Sequence, residues 1–215
     1  MAKHREPSHD EFMKDVAQHE VKILLDNDIY RHLRCKQPGS SCYWFDIITA
    51  PGILVFTGDM SGFTFRRLYD MFEFFRNDSC GINPSYWAEK VEAECRGSGV
   101  EKFSEDKFKR IVFECVRDWI RDHRDECTRA ERRELWEQIE SDVLFYDDSD
   151  SYGVRLIDAA IGFEHRLNSQ CKFRFEEFWE HNFNDYTFRF IWCCRAIVWA
   201  IAQYDAQREA KAVAA

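Results

Sequence analysis

Residues 20–66 read EVKILLDNDIYRHLRCKQPGSSCYWFDIITAPGILVFTGDMSGFTFR, and this stretch decides the fold. Val21, Ile23 and Leu25 alternate with Glu20, Lys22 and Leu24. After the turn cluster Asp26-Asn27-Asp28, Ile29, Arg31, Leu33 and Cys35 alternate with Tyr30, His32, Arg34 and Lys36. A period of two places successive side chains on opposite faces of a strand. Pro38-Gly39-Ser40-Ser41 turns the chain, Cys42 to Thr49 runs as a strand, and Ala50-Pro51-Gly52 turns it again. Ile53 to Thr57 returns, Gly58-Asp59-Met60-Ser61-Gly62 makes a further turn, and Phe63 to Phe65 ends the series. Strand-length runs joined by Gly, Pro and Asx turns predict successive hairpins. The stretch 20–66 is therefore expected to be an antiparallel β-meander of four to five short strands.

Outside it the period becomes helical. Residues 1–7 read as a flexible tail. Ser8 and Glu11 stand at capping-box spacing and open a helix over about 9–18. Downstream, Leu68, Met71, Phe72 and Phe75 sit at helical spacing within 66–76. Asn83-Pro84 predicts a helix to about Cys95, with proline in its first turn. Ser104 begins one to about Asp125, with Phe108, Ile111, Val112, Cys115, Trp119 and Ile120 on one apolar face. Thr128 and Glu131 repeat the capping box for a helix to about Tyr146. Further helices are expected over 153–167, 175–181 and from Asp185 or Thr187 to about Lys211. Between Phe188 and Ala202 only Arg189 and Arg195 are charged, so this last helix is apolar nearly all round and central to the packing. A sheet must bury one face against another layer, and the helices 66–76 and 187–205 suit that role. The expected fold class is α+β, one domain over 1–215, with 67–211 helical and 212–215 a second tail.

Composition agrees with a packed core. Hydrophobic residues are 45% and aromatics 16% of the chain, with 19 Phe and 7 Trp. The net charge of −9 argues against a general duplex nucleic-acid surface, which needs a Lys/Arg excess. Nine cysteines, with no CxxC and no zinc-like spacing, suit a reducing cytoplasm better than a disulfide scaffold. The N-terminus lacks an apolar signal region, and the apolar stretch 190–204 is too short to span a bilayer. A cytoplasmic location without a membrane partner is the expectation.

The candidate site is a polar set in and beside the meander: Arg31, His32, Arg34, Asp46, Asp59, Arg66 and Asp70, with Arg76 nearby. Alternation puts His32 and Arg34 on one strand face and Arg31 on the other. Asp46 interrupts an apolar strand, so it must meet an arginine or lie on the wet face. Two readings follow. One is a cleft for a nucleotide or other anion, with His32 carrying a proton and the arginines clamping phosphate or carboxylate. The other, which such residues support more often, is a set of cross-strand ion pairs.

Other motifs carry less. Gly58–Gly62 lacks both GxGxxG and the Walker GK[ST], so a tight turn explains it. Asp147–Gly153 imitates the first half of a calcium loop, but Ala159 stands where a bidentate Glu belongs. His123 with Cys127, and Glu177 with His181, are i,i+4 pairs without a third ligand, and HExxH is absent. No metal, cofactor or catalytic residue is assigned from these patterns.

Tyr30-Arg-His-Leu-Arg34, Tyr43-Trp-Phe-Asp46, Thr49-Ala-Pro-Gly52, Gly58-Asp-Met60 and Asp70-Met-Phe-Glu-Phe-Phe-Arg76 occur in this order. Together they resemble a group of uncharacterised small proteins of tailed bacteriophages and prophages, over about residues 10–90. The resemblance implies work in the bacterial cytoplasm, where a phage accessory protein binds a host protein or complex; inhibition of a host defence is one such role. It implies no catalytic residues. The alternative is an anion-binding module or small enzyme at the meander's His, Arg and Asp residues.

Overall fold

The structure is a computed structural model and describes residues 6–76, 81–97, 99–145 and 152–214. The chain is α+β, and two compact units account for it. The first comprises residues up to Lys102 together with 186–215, and the second comprises 103–185.

In the first unit, α1 (His9–Asp15) begins at Ser8, whose hydroxyl accepts from the Glu11 backbone while Glu11 accepts from Ser8 N–H. That reciprocal cap satisfies two otherwise orphaned donors. Six strands follow: β1 (Glu20–Asn27), β2 (Tyr30–Lys36), β3 (Phe45–Ala50), β4 (Ile53–Gly58), β5 (Ser61–Arg66) and β6 (Val91–Glu94). They form one antiparallel sheet in sequence order. The meander is thus present and carries one strand more than expected.

The sixth strand corrects the helix expected over 83–95. Asn83 does cap a helix with Pro84 in its first turn, but α3 (Pro84–Ala88) is short. Val91–Glu94 instead pairs with β5, Thr64 opposite Ala93 and Phe65 opposite Val91. An open strand edge supplies hydrogen-bond partners that a helix of charged residues with few apolar ones cannot match. The helix expected over 66–76 is likewise shorter. Asp70 caps α2 (Met71–Phe75) through Phe72 N–H, and residues 67–70 form the approach to it.

The sheet's inner face carries Leu33, Cys35, Phe45, Ile47, Leu54, Phe56, Phe63 and Phe65, all but inaccessible to water. Against it lies α7 (Phe188–Ala214), whose residues from Phe190 to Tyr204 are mostly buried. Its rings meet both flanks of the core. Trp192 packs edge-on against Phe12 of α1 at 5.2 Å and Phe45 of β3 at 5.7 Å, and Tyr204 packs against Phe72 of α2 at 5.3 Å. Burying a ring of this size contributes about 2–3 kcal/mol, so this aromatic layer dominates the unit's stability. Polar ties add register. Trp192 Nε1 donates to Asp15, Arg195 Nε donates to the Pro7 carbonyl, and Tyr204 OH donates to Asp26. Pro7, expected in a tail, is therefore buried, and residues 212–214 continue α7; residues 1–5 and 215 lie outside the described residues.

In the second unit, α4 (Glu105–Asp122) starts at Ser104 and α5 (Arg129–Asp142) at the Thr128–Glu131 capping box, as expected. α6 (Tyr152–Gly162) ends before residue 167, and Glu164–Arg166 pairs with Lys172–Arg174 as a hairpin. A single 3-10 turn, Phe178–Glu180, stands where a short helix was expected. Here alternation in FEHR and CKFRF outweighs helical spacing: Phe163, just before the first hairpin strand, and Phe173, in the middle of the second, both lie in the core. Phe108, Phe173, Phe175, Phe178 and Phe183 are the large rings of this second core. Short strands Glu101–Phe103 and Asn184–Tyr186 carry the chain out of the first unit and back. No helix among the described residues is long and apolar enough to cross a membrane.

Candidate functional site: the solvent face of the sheet

The structure divides the polar set between two faces and the sheet's ends. On β2, Arg31, Leu33 and Cys35 face inward, while His32 and Arg34 face outward. Asp46 lies directly opposite Arg34 across the β2–β3 ladder and shares the outer face. Arg34 Nε donates to Asp46 Oδ1 at 2.9 Å and Arg34 Nη2 donates to Oδ2 at 2.7 Å. His32 Nε2 lies 3.0 Å from the same Oδ2, within reach of an N–H donation. Burial would raise the Asp46 pKa, but hydrogen bonds from Arg34 and His32 outweigh it and hold the carboxyl below its ordinary value.

This cluster is chemically saturated. Both Asp46 oxygens are occupied, and an acid held this firmly in its ionised form is a poor proton acceptor. The cross-strand ion-pair reading describes His32, Arg34 and Asp46 as they stand.

The remaining residues lie elsewhere. Arg31 is buried on the inner face, where it clamps Asp70 and covers the Phe72 ring at 4.5 Å. Burial would raise the Asp70 pKa too, and the Arg31 hydrogen bonds and the Phe72 N–H outweigh it. Asp59, in the β4–β5 turn, accepts from Tyr43 N–H at 2.8 Å. Arg66 ends β5 as an exposed side chain, its backbone N–H bonded to Lys90. Arg76 pairs with Asp205 on α7. The seven candidate residues do not line one cleft.

The metal pairs are also resolved. His123 Nδ1 donates to the Trp119 carbonyl at 3.0 Å, and the imidazole stacks on the Trp119 ring at 4.4 Å. Cys127 abuts Cys171, with the two sulfurs 2.9 Å apart. Among the described residues no group of three His, Cys, Asp or Glu side chains is placed to hold a metal ion. The acidic segment 147–151 lies outside the described residues, and Tyr152-Gly153 opens α6.

What the polar reading missed on the outer face is apolar. Leu24, Leu25, Tyr30 and Ile48 are 42%, 49%, 47% and 39% exposed. Leu25 and Ile48 flank His32 in one cross-strand row, because a register shift after Ile23 sets Leu25 opposite His32. That bulge leaves two leucines in succession exposed on the edge strand. Alternation could not reveal it, since a bulge breaks the alternation locally. Lys22 stands opposite Arg34 in the next row, so two cations share that row with Asp46.

No family model, curated protein or solved structure matches this chain.

Proposed function

We propose that this protein acts by binding, and that the solvent face of its sheet docks onto a partner protein. The carrying observation is the exposed row Leu25–His32–Ile48, bordered by Leu24 and Tyr30. Apolar side chains grouped on a face with a satisfied charge cluster form a surface that costs little to desolvate. Lys22 on its border, whose side chain has no ion-pair partner among the described residues, favours a partner whose apolar patch is rimmed by carboxylates. The resemblance to phage accessory proteins supplies the context: a host protein or complex in the bacterial cytoplasm, with a defence complex as one class of target. An enzyme or nucleotide site built on the meander's charged residues has less support, because their side chains face different ways.

The test is site-specific capture. A photo-crosslinking residue at position 48 should capture a host protein that the same residue at position 134, on α5, does not. The captured protein, purified, should bind the wild-type chain at least tenfold more tightly than the Leu25→Glu variant. Equal affinity for wild type and variant, with both folded by circular dichroism, would sink the proposal.

A further inference from the structure

We propose a second site, separate from the sheet's outer face: an anion site that takes a nucleoside di- or triphosphate. It is an open cleft of about 560 Å³ at the start of α7, within the first unit. That volume lies in the range of small-molecule sites.

Three cations line it: Arg96, Lys102 and Arg189. They come from the segment after β6, from the strand leading out of the unit, and from the first turn of α7. None of the three has an ion-pair or hydrogen-bond partner among the described residues, although the chain carries 39 Asp and Glu. Unpaired cations converging on a concavity in a protein of net charge −9 create a local positive potential against the overall field. The neighbouring carboxylates are turned to other work. Glu94 accepts from Val100 N–H at 2.6 Å and Asp59 accepts from Tyr43 N–H at 2.8 Å. Both carboxylates keep their charge, but neither forms an ion pair with Arg96, Lys102 or Arg189, so these three side chains stay open to an anionic ligand.

The walls are stitched together. Thr187 N–H donates to the Val100 carbonyl at 2.9 Å, and its hydroxyl donates to the Gly99 carbonyl at 2.7 Å. The same hydroxyl accepts from Phe190 N–H, so the start of α7 and the segment carrying Lys102 hold a common geometry. Arginine supplies forked donors for phosphate oxygens and lysine a point charge. The first-turn N–H groups of the 27-residue α7 add to the same field.

The apolar lining selects the rest of the ligand. Phe188 is 40% exposed at the cleft. Tyr43 also lines it, in a left-handed backbone conformation at φ 56 that a side chain rarely adopts. Asp59 holds Tyr43 from its N–H side, His19 Nε2 meets its carbonyl at 3.1 Å, and its ring stacks on Trp192 at 5.7 Å. Two aromatic side chains lining the same cleft as a cation cluster match a planar base joined to a polyphosphate.

Calorimetry on the full chain at low salt tests this with ATP, inorganic pyrophosphate and adenosine as probes. The expected result is heat from ATP and from pyrophosphate, none from adenosine, and displacement of ATP by pyrophosphate. Arg96→Gln/Lys102→Gln/Arg189→Gln should weaken ATP at least tenfold without moving the melting temperature, since all three side chains are exposed. The charge-keeping set Arg96→Lys/Lys102→Arg/Arg189→Lys should retain most of the affinity. Phe188→Ala should weaken ATP while sparing pyrophosphate. Absence of binding to both phosphates overturns the site, as does undiminished binding by the charge-removed variant. Binding of a single-stranded oligonucleotide without any binding of ATP overturns it in favour of nucleic acid. Equal losses of ATP and pyrophosphate in Phe188→Ala overturn the assignment of the base.

Discussion

Arg31 and Asp70 meet through two parallel hydrogen bonds, Nη1 to Oδ1 at 2.7 Å and Nη2 to Oδ2 at 2.9 Å. The pair joins the second strand of the sheet to the cap of α2, because Asp70 Oδ1 also accepts from Phe72 N–H. The guanidinium lies over Phe72 at 4.5 Å and near Tyr204 at 5.7 Å. One ion pair thus fastens sheet, short helix and α7 in a single place.

Arg31→Ala should therefore destabilise the protein by about 3 kcal/mol, since it leaves the Asp70 carboxylate largely buried without its partner. Arg31→Lys should recover only part of this, because an ammonium cannot donate in parallel to both oxygens. Urea denaturation at neutral pH, read from tryptophan fluorescence, checks both variants. A loss below about 0.5 kcal/mol for Arg31→Ala would contradict the structural role given to the pair.

Acid should act through the same carboxylates and through Asp46. Asp46 and Asp70 have folded-state pKa values below the ordinary 3.8. Between the folded and unfolded values the unfolded chain binds more protons, so stability rises with pH there. The contribution is complete above the unfolded value and is lost as pH falls through the folded one. The urea midpoint should hold near pH 5 and fall steeply below about pH 4. Asp46→Asn should begin lower and fall less steeply over the same range.

Gly58 closes β4 with no room for a side chain. A Cβ there would sit 2.2 Å from the Trp44 carbonyl oxygen and 2.7 Å from Phe45 Cα. Both are backbone atoms of the adjacent segment, so Gly58→Ala forces the β3–β4 ladder to shift. It should cost about 1–3 kcal/mol, read as a lower melting temperature. Gly97→Ala, where a Cβ would meet nothing within 4 Å, is the matched control and should change stability little.

The cysteines should label in two classes. Cys42 and Cys95 are exposed, so a brief iodoacetamide pulse should modify them first among the described cysteines. Burial pushes the Cys171 thiol up to about 12, with its contact to Cys127 adding to the effect. Burial also raises Cys35, Cys193 and Cys194 far above the ordinary thiol range. Peptide mass spectrometry should find these buried thiols unlabelled until urea is added.

Much of the fold was legible because its signals are short. The Ser8–Glu11 and Thr128–Glu131 boxes each span four residues, and both cap helices in the structure. The strands of the meander were legible from alternation and turn residues. Val91–Glu94 was not, since its strand character comes from the free edge of β5, more than twenty residues upstream. The outward placement of His32 and Arg34 followed from period two, and Asp46 met an arginine as its cost of burial requires. Their separation from Arg31, Asp59 and Arg66 was equally inherent in strand geometry, but only the assembled sheet showed that no turn brings them back together.

The residues alone determined the α+β class, the antiparallel order of the meander, the helix starts capped by Ser8, Asn83, Ser104 and Thr128, and the central apolar helix. Each depends on contacts a few positions apart, where backbone geometry is nearly the whole of the physics. The tertiary structure decided the rest: the sixth strand, the bulge that exposes Leu24 and Leu25, the Arg31–Asp70 clamp, and the convergence of Arg96, Lys102 and Arg189. These depend on which distant segments share a core, and that choice is made by the packing of Phe, Trp and Tyr around α7, which no local pattern encodes.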